Sequence, residues 1–161
     1  MATQNEYDID VVKVVDGDTV NVDIYLGFGV CLKNERVRIV GIDTPESRTS
    51  DDVEKLFGRA AKKRLIELLQ NGATLVTTEN NSGEDTRGKF GRVLGDFRVK
   101  TLNRLVTDIL IEEGYGVAYF GGSKSTIRQQ HLNNRERLLR EGVVDMAMYV
   151  SKGGNPVIVS S

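Results

Sequence analysis

The stretch from Arg38 to Glu46, RIVGIDTPE, concentrates side chains that can do chemistry: a guanidinium, two carboxylates and a threonine, with Pro45 fixing the backbone direction ahead of Glu46. A further carboxylate, Asp18, sits upstream in DGDT, and Arg92 ends the downstream motif KFGR. Asp18 and Asp43 each begin or end a strand of one predicted meander, so the fold can bring them together. Two hard carboxylates with a backbone carbonyl and waters suit Ca²⁺ or Mg²⁺, because both ions take oxygen ligands and need few from protein when a phosphate supplies more. The same pair could instead cap two turns, and spacing alone does not choose. Phosphodiester hydrolysis needs a metal on a non-bridging oxygen, a carboxylate that positions or deprotonates water, and guanidinium groups for the growing charge. Arginine serves that last role better than lysine because its planar fork contacts two phosphate oxygens. Taken singly, either arginine is more commonly a surface salt-bridge partner.

These groups need a scaffold. Ile9 to Val15 and Thr19 to Leu26 are rich in β-branched residues, with Val20, Val22, Ile24 and Leu26 alternating, and read as two strands joined by a tight turn at Asp16-Gly17-Asp18. Gly27 to Asn34 reads as a longer turn before a third strand, Glu35 to Ile42. From Asp51 to Gln70 the period changes: Val53, Leu56, Phe57, Ala60, Ala61, Leu65, Leu68 and Leu69 share one helical face, closed by Asn71-Gly72. Ala73 to Thr78 and Arg92 to Val99 read as strands, Leu102 to Glu113 as a second helix, and Thr126 to Glu141 as a third with a sparse apolar stripe. Five short strands interrupted by a helix after the third predict an α+β chain, a five-stranded OB-type Greek-key β-barrel with three helices.

The 161 residues suit a single domain, here a core at about 8–141 with a C-terminal extension at 142–161. No apolar run approaches the length of a membrane span, and the N-terminus lacks the basic-then-apolar pattern of a secretory signal, so a cytoplasmic monomer is expected. The lone Cys31 excludes an intramolecular disulfide and any zinc site needing two thiolates. A net charge of −1 and pI near 5.9 argue against a broad cationic surface. Any nucleic-acid role must therefore rest on local groups, such as Lys33, Arg36 and Arg38, or Arg87, Lys89 and Arg92.

VVDGDTV, RIVGIDTPE, VEKLFG and GKFGR, in this order, closely resemble the staphylococcal nuclease-like (thermonuclease) family over about Val11 to Leu139. The resemblance implies that Asp18 and Asp43 bind Ca²⁺ through carboxylates and Thr44 through its carbonyl. It makes Glu46 the general base or the residue ordering the attacking water, and Arg38 and Arg92 the clamp on the scissile phosphate. Lys89, Phe90 and Tyr119 fall where the family contacts the terminal phosphate and stacks the base. The implied reaction is hydrolysis of DNA and RNA at the 5′ P–O bond, leaving 3′-phosphates.

The chain also departs from the family. Phe90 replaces the tyrosine expected after the lysine, and Phe120-Gly121 stands where a second binding tyrosine is expected. The turn at Gly27 to Asn34 is longer, and LGFGV there suggests a flap beside the site that would select substrate shape. This extended hairpin and YFGGSK resemble phage and bacterial intracellular members. His131, the only histidine, is expected to be structural or exposed, away from the catalytic cluster, and Asp85 to lie on a solvated face. Two rival functions are a structure-selective endonuclease and a non-catalytic nucleic-acid-binding module. The second is disfavoured because Asp18, Arg38, Asp43, Glu46 and Arg92 are all present.

Overall fold

The computed structural model describes residues 4–79, 85–88 and 91–145. Strands β1 (Gln4–Asp16) and β2 (Thr19–Gly27) form an antiparallel hairpin across the Gly17-Asp18 turn, with Val20, Val22 and Ile24 of β2 directed inward. β3 (Val30–Ile39) pairs with β2, while β5 (Ala73–Thr78) pairs with both β1 and β6 (Val93–Val99). A parallel pairing of β3 with β6 closes the ring in the order β1-β2-β3-β6-β5. Closure removes the free edges that an open sheet would present. With helices α1 (Asp52–Gln70), α2 (Val106–Glu112) and α3 (Arg128–Arg140), this is the expected α+β, OB-type barrel.

Val20, Val22, Val37, Ile39, Leu75, Phe97 and Val99 fill the barrel, and Leu65 and Leu68 of α1 close one end of it. Asp51 starts α1 by accepting hydrogen bonds from the amides of Val53 and Glu54. Two further buried residues of this helix, Leu56 and Phe57, meet Leu138 of α3 in a second, smaller cluster. Arg135 of α3 also lies 5.5 Å from the centre of the Phe57 ring.

Several local expectations are corrected. Gly27 to Asn34 is not a long turn: β3 begins at Val30, and only Phe28 and Gly29, both at positive φ, make the connection. That two-residue geometry matches the twist of the flanking strands, so the extra residues lengthen the hairpin. Asp23 accommodates a bulge opposite Lys33 and Asn34 by accepting from the Asn34 amide at 2.8 Å. The hairpin tip lies at the far end of β2 from Thr19 and Arg38, about 25 Å away at strand rise, which overturns the flap beside the site.

The second helix starts at Val106 rather than Leu102, because Asn103 at φ 51 turns the chain and Arg104–Leu105 (β7) pairs with β6. A 3-10 turn, Lys124–Ile127, precedes the third helix. Asp85 is no solvated residue: it accepts from Asn5 at 3.0 Å, from the Tyr7 hydroxyl at 2.8 Å and from Thr77, pinning the loop to β1 and β5.

Asp96 on β6 makes the fold sensitive to pH. Burial pushes its carboxyl up to about 6, outweighing hydrogen bonds from Thr107 Oγ1 at 2.5 Å and from the Phe97 amide at 2.8 Å. A carboxyl that holds its proton more tightly when folded stabilises the fold fully below the unfolded pKa. That contribution is lost as pH rises through the folded value. Relative to the native chain, Asp96→Asn should therefore gain about 3 kcal/mol between roughly pH 4 and 6. Urea unfolding across that range measures it, and a flat difference between the two proteins would refute the assignment.

Candidate active site

The DGD turn and the RIVGIDTPE segment meet at one end of the barrel. Antiparallel pairing of Thr19 with Arg38, and a 2.8 Å hydrogen bond from the Ile39 amide to the Asp18 carbonyl, fix Asp18 beside Arg38. Arg38 Nη2 lies 3.4 Å from Asp18 Oδ2 and donates to the Ile42 carbonyl at 3.1 Å, while Nη1 donates to the Ile39 carbonyl. Asp16 accepts from the amides of Gly17 at 3.0 Å and Ser47 at 3.2 Å, so it ties the DGD turn to the loop after Pro45. Gly17 is needed there because a Cβ would lie 3.0 Å from Thr44 Oγ1 and 2.9 Å from Ala61 Cβ.

Asp43 is placed by a pairing that no periodicity announces. Residues Ile42–Asp43 (β4) lie antiparallel to Val117–Ala118 (β8), with Asp43 opposite Val117 and the Tyr119 amide donating to Gly41. This short ribbon brings the start of α3 over the carboxylate. Asp43 Oδ2 is 2.9 Å from His131 Nε2, and Oδ1 is 3.1 Å from Lys124 Nζ. His131 is thus part of the cluster, contrary to the expectation that it stands apart. The signal for it is faint: Ile127, His131, Asn134 and Leu138 form the inward stripe of the helix, but its two central members are polar.

The two carboxylates are electrostatically unequal. Burial raises Asp18 above the usual carboxylate range, with repulsion from Asp16 and Asp43 adding to it and Arg38 only partly offsetting it. For Asp43, burial is outweighed by hydrogen bonds from His131 and Lys124, which hold it low. The same contact raises Lys124. A hard dication fits this donor set: Asp18 gains most from added positive charge, a lysine ammonium already stands on Asp43 Oδ1, and Thr44 Oγ1 is buried without a partner among the described residues. Among those residues no group of three or more His, Cys, Asp or Glu side chains converges, so any ion must take further oxygens from backbone, water or substrate.

Glu46 is exposed beyond Pro45, and its charge helps raise Lys124. Its backbone is positioned from α1, whose Glu54 accepts from the Glu46 amide at 3.3 Å and whose Gly58 passes against the Glu46 carbonyl. Arg38 and Tyr119 line a shallow cleft with Gly41 and Phe120. Arg92 lines a separate cleft of about 440 Å³ with Asp16, Glu35, Arg36 and Arg48, a size typical of ligand sites. Arg38 and Arg92 thus line two different clefts. Lys89 and Phe90 lie outside the described residues.

The sequence model for staphylococcal nuclease homologues matches residues 36–144, more than half of the chain. The chain belongs to the staphylococcal nuclease family. Its relatives in Bacillus subtilis (strain 168) include endonuclease YncB, 35% identical over 108 residues, which are 66% of this chain and 46% of YncB. Another is the SPbeta prophage-derived endonuclease YokF, 34% identical over 113 residues, 70% of this chain and 34% of YokF. An uncharacterised protein of Methanocaldococcus jannaschii, MJ1439, is 28% identical over 149 residues, 81% of this chain and 67% of that protein. The chain thus spans less than half the length of YncB and YokF. These relationships make it a nuclease-family domain. The family match begins at Arg36, so Asp18 lies outside it, and its contact with Arg38 is what ties it to the matched segment. No helix among the described residues is long and apolar enough to cross a membrane.

Proposed function

We propose that the chain is a Ca²⁺-dependent nuclease that hydrolyses DNA and RNA at the 5′ P–O bond and leaves 3′-phosphates. The observation that carries this reading is the pair of carboxylates, half-buried Asp18 and buried Asp43, each paired with a cationic side chain and sited at the barrel end that also holds Glu46. Asp18, Asp43 and the Thr44 carbonyl would hold the ion, which would supply Lewis-acid neutralisation of the phosphate. Glu46 accepts a proton from, or orients, the attacking water, and its exposure leaves it free to reach substrate. Arg38 and Arg92 approach the phosphate from two clefts and bind its oxygens, and Tyr119, Lys89 and Phe90 contact the flanking nucleotide. The domain acts as a monomer in the cytoplasm, with residues 1–161 as one catalytic unit.

Metal dependence is the first test. Cleavage of labelled oligonucleotides should stop in excess EGTA and return on adding Ca²⁺. Persistent cleavage in EGTA would exclude the Ca²⁺ dependence, and binding without cleavage in Ca²⁺ would favour the non-catalytic module. The structure-selective reading has less support, since the hairpin tip lies at the far end of β2 from Thr19 and Arg38; equal cleavage of single-stranded, duplex and RNA substrates would remove it.

Substrate binding should depend only weakly on salt. Arg36, Arg38, Arg48 and Arg92 line the two clefts, so the slope of log K against log salt on duplex DNA should be about −3 to −4. Arg48→Ala, which removes a cleft arginine outside the family motifs, should shrink that slope by about one. A slope of about −7 or steeper, equivalent to eight or more phosphate contacts, would contradict this count.

A further inference from the structure

The two oxygens of Asp43 have partners of different kinds. Oδ2 meets His131 Nε2 at 2.9 Å, and the His131 side chain is only 17% exposed. The histidine is held by its helix: Ile127 and Leu138 on the same stripe are buried, and Asn134 between them donates to the Gly116 carbonyl at 3.2 Å. That last contact ties α3 to the strand that pairs with β4, so helix, imidazole and carboxylate form one connected unit. Oδ1 instead meets Lys124 Nζ at 3.1 Å, and the Lys124 side chain is 66% exposed, on a flexible stem leaving the 3-10 turn.

A divalent cation bound by Asp43 needs one of these oxygens. Taking Oδ2 would require pulling a packed helix away, whereas taking Oδ1 requires only that an exposed lysine rotate into water. We propose that His131 is a positioning residue that fixes the Asp43 carboxylate with Oδ1 presented to the metal, and that Lys124 is the chain's own cation at that oxygen, which the metal displaces. This rests on the reading of Asp43 as a metal ligand. With Nε2 as donor, the imidazole keeps its hydrogen bond when the ion arrives, as outer partners of ligating carboxylates commonly do. Lys124 lowers metal affinity by the fraction of molecules in which it occupies Oδ1. The two side chains touch the same carboxylate and yet act on metal binding with opposite signs.

Calorimetric titration of Ca²⁺ into the full chain, without nucleic acid, separates the two roles. His131→Ala should bind Ca²⁺ about tenfold more weakly, the usual loss when an outer partner is removed. His131→Gln, whose amide can still donate to Oδ2, should recover most of that loss. Lys124→Met should bind several-fold more tightly than the native chain. Thermal melts in chelator verify that each variant folds, and the glutamine variant carries the comparison if alanine does not fold. Native affinity in both histidine variants would overturn the positioning role, and unchanged or weaker binding by Lys124→Met would overturn the competition. If the native chain itself gives no Ca²⁺ binding at millimolar concentrations, Asp43 is not a ligand and the proposal falls together with the metal reading. Native binding with insensitive variants refutes the proposal alone.

Discussion

Glu46→Gln should lower kcat by about 10² to 10⁴-fold while leaving KM nearly unchanged, because a carboxylate that takes a proton from water acts chiefly in the transition state. Glutamine keeps the size and the hydrogen-bonding reach of the side chain but cannot accept the proton. The residue is exposed, and its backbone placement comes from Pro45, from Glu54 and from the close passage of Gly58, so the change should not disturb folding. Steady-state kinetics on a labelled oligonucleotide, with a melting curve alongside, separates these outcomes. Native kcat in a folded Glu46→Gln protein would exclude Glu46 as the general base.

Gly58→Ala carries the second large effect, and its sign is the informative part. At an exposed helix position the change from glycine to alanine stabilises by about 1 kcal/mol through propensity alone. Gly58, however, is buried in α1 where a Cβ would overlap the Glu46 carbonyl and lie 2.6 Å from the Ser47 nitrogen. The obstacle is backbone, which cannot swing aside as a side-chain tip would. Overpacking of this kind costs about 1–3 kcal/mol, so the variant should melt lower despite its better helix former. The segment pushed away carries Glu46, and a displacement of about 1 Å in a catalytic group can cost on the order of 10²-fold in rate. A higher melting temperature with native activity would show that α1 and the Glu46 loop are not in the close contact described.

The glycine of VEKLFG shows how much a motif can contain without explaining itself. Its place in the motif is legible in the sequence, but its reason, a helix pressed against the Glu46 loop, appears only when the two segments are docked. Elements whose pattern lies within one segment were legible: the alternation in β2, the apolar stripe of α1 and Gly72, at φ 84, just past its end. The two-residue strands β4 and β8 carry no period, and the passage GYGVAYFGGSK gave no sign of pairing with Ile42–Asp43. That pairing is what carries Lys124 and His131 to Asp43, so both side chains were misplaced or overlooked. The longer hairpin was misread because its glycines resemble those of a loop, whereas Gly29 and Phe28 serve only a two-residue turn. Arg48 belongs to no family motif, and its cleft with Arg36 and Arg92 depends on the parallel β3–β6 closure.

The candidate site draws on many parts of the chain. Asp18 comes from the first hairpin, Arg38 and Asp43 from the third strand and its continuation, Glu46 from a loop held by α1, and the partners of Asp43 from the 3-10 turn and α3. Such a distribution couples activity to the integrity of the barrel end rather than to any single segment. It also puts an exposed cation, Lys124, on the carboxylate proposed as a metal ligand.

The most direct test is the chemistry of the cut. Labelled DNA and RNA are incubated with the protein in Ca²⁺, in Mg²⁺ and in excess EGTA, and the product termini are read by mass spectrometry. The expected result is cleavage in Ca²⁺ giving 3′-phosphate and 5′-hydroxyl ends, with none in EGTA. Cleavage that survives the chelator, or products ending in 5′-phosphate, would contradict the assignment of Asp18, Asp43 and Glu46 to this reaction.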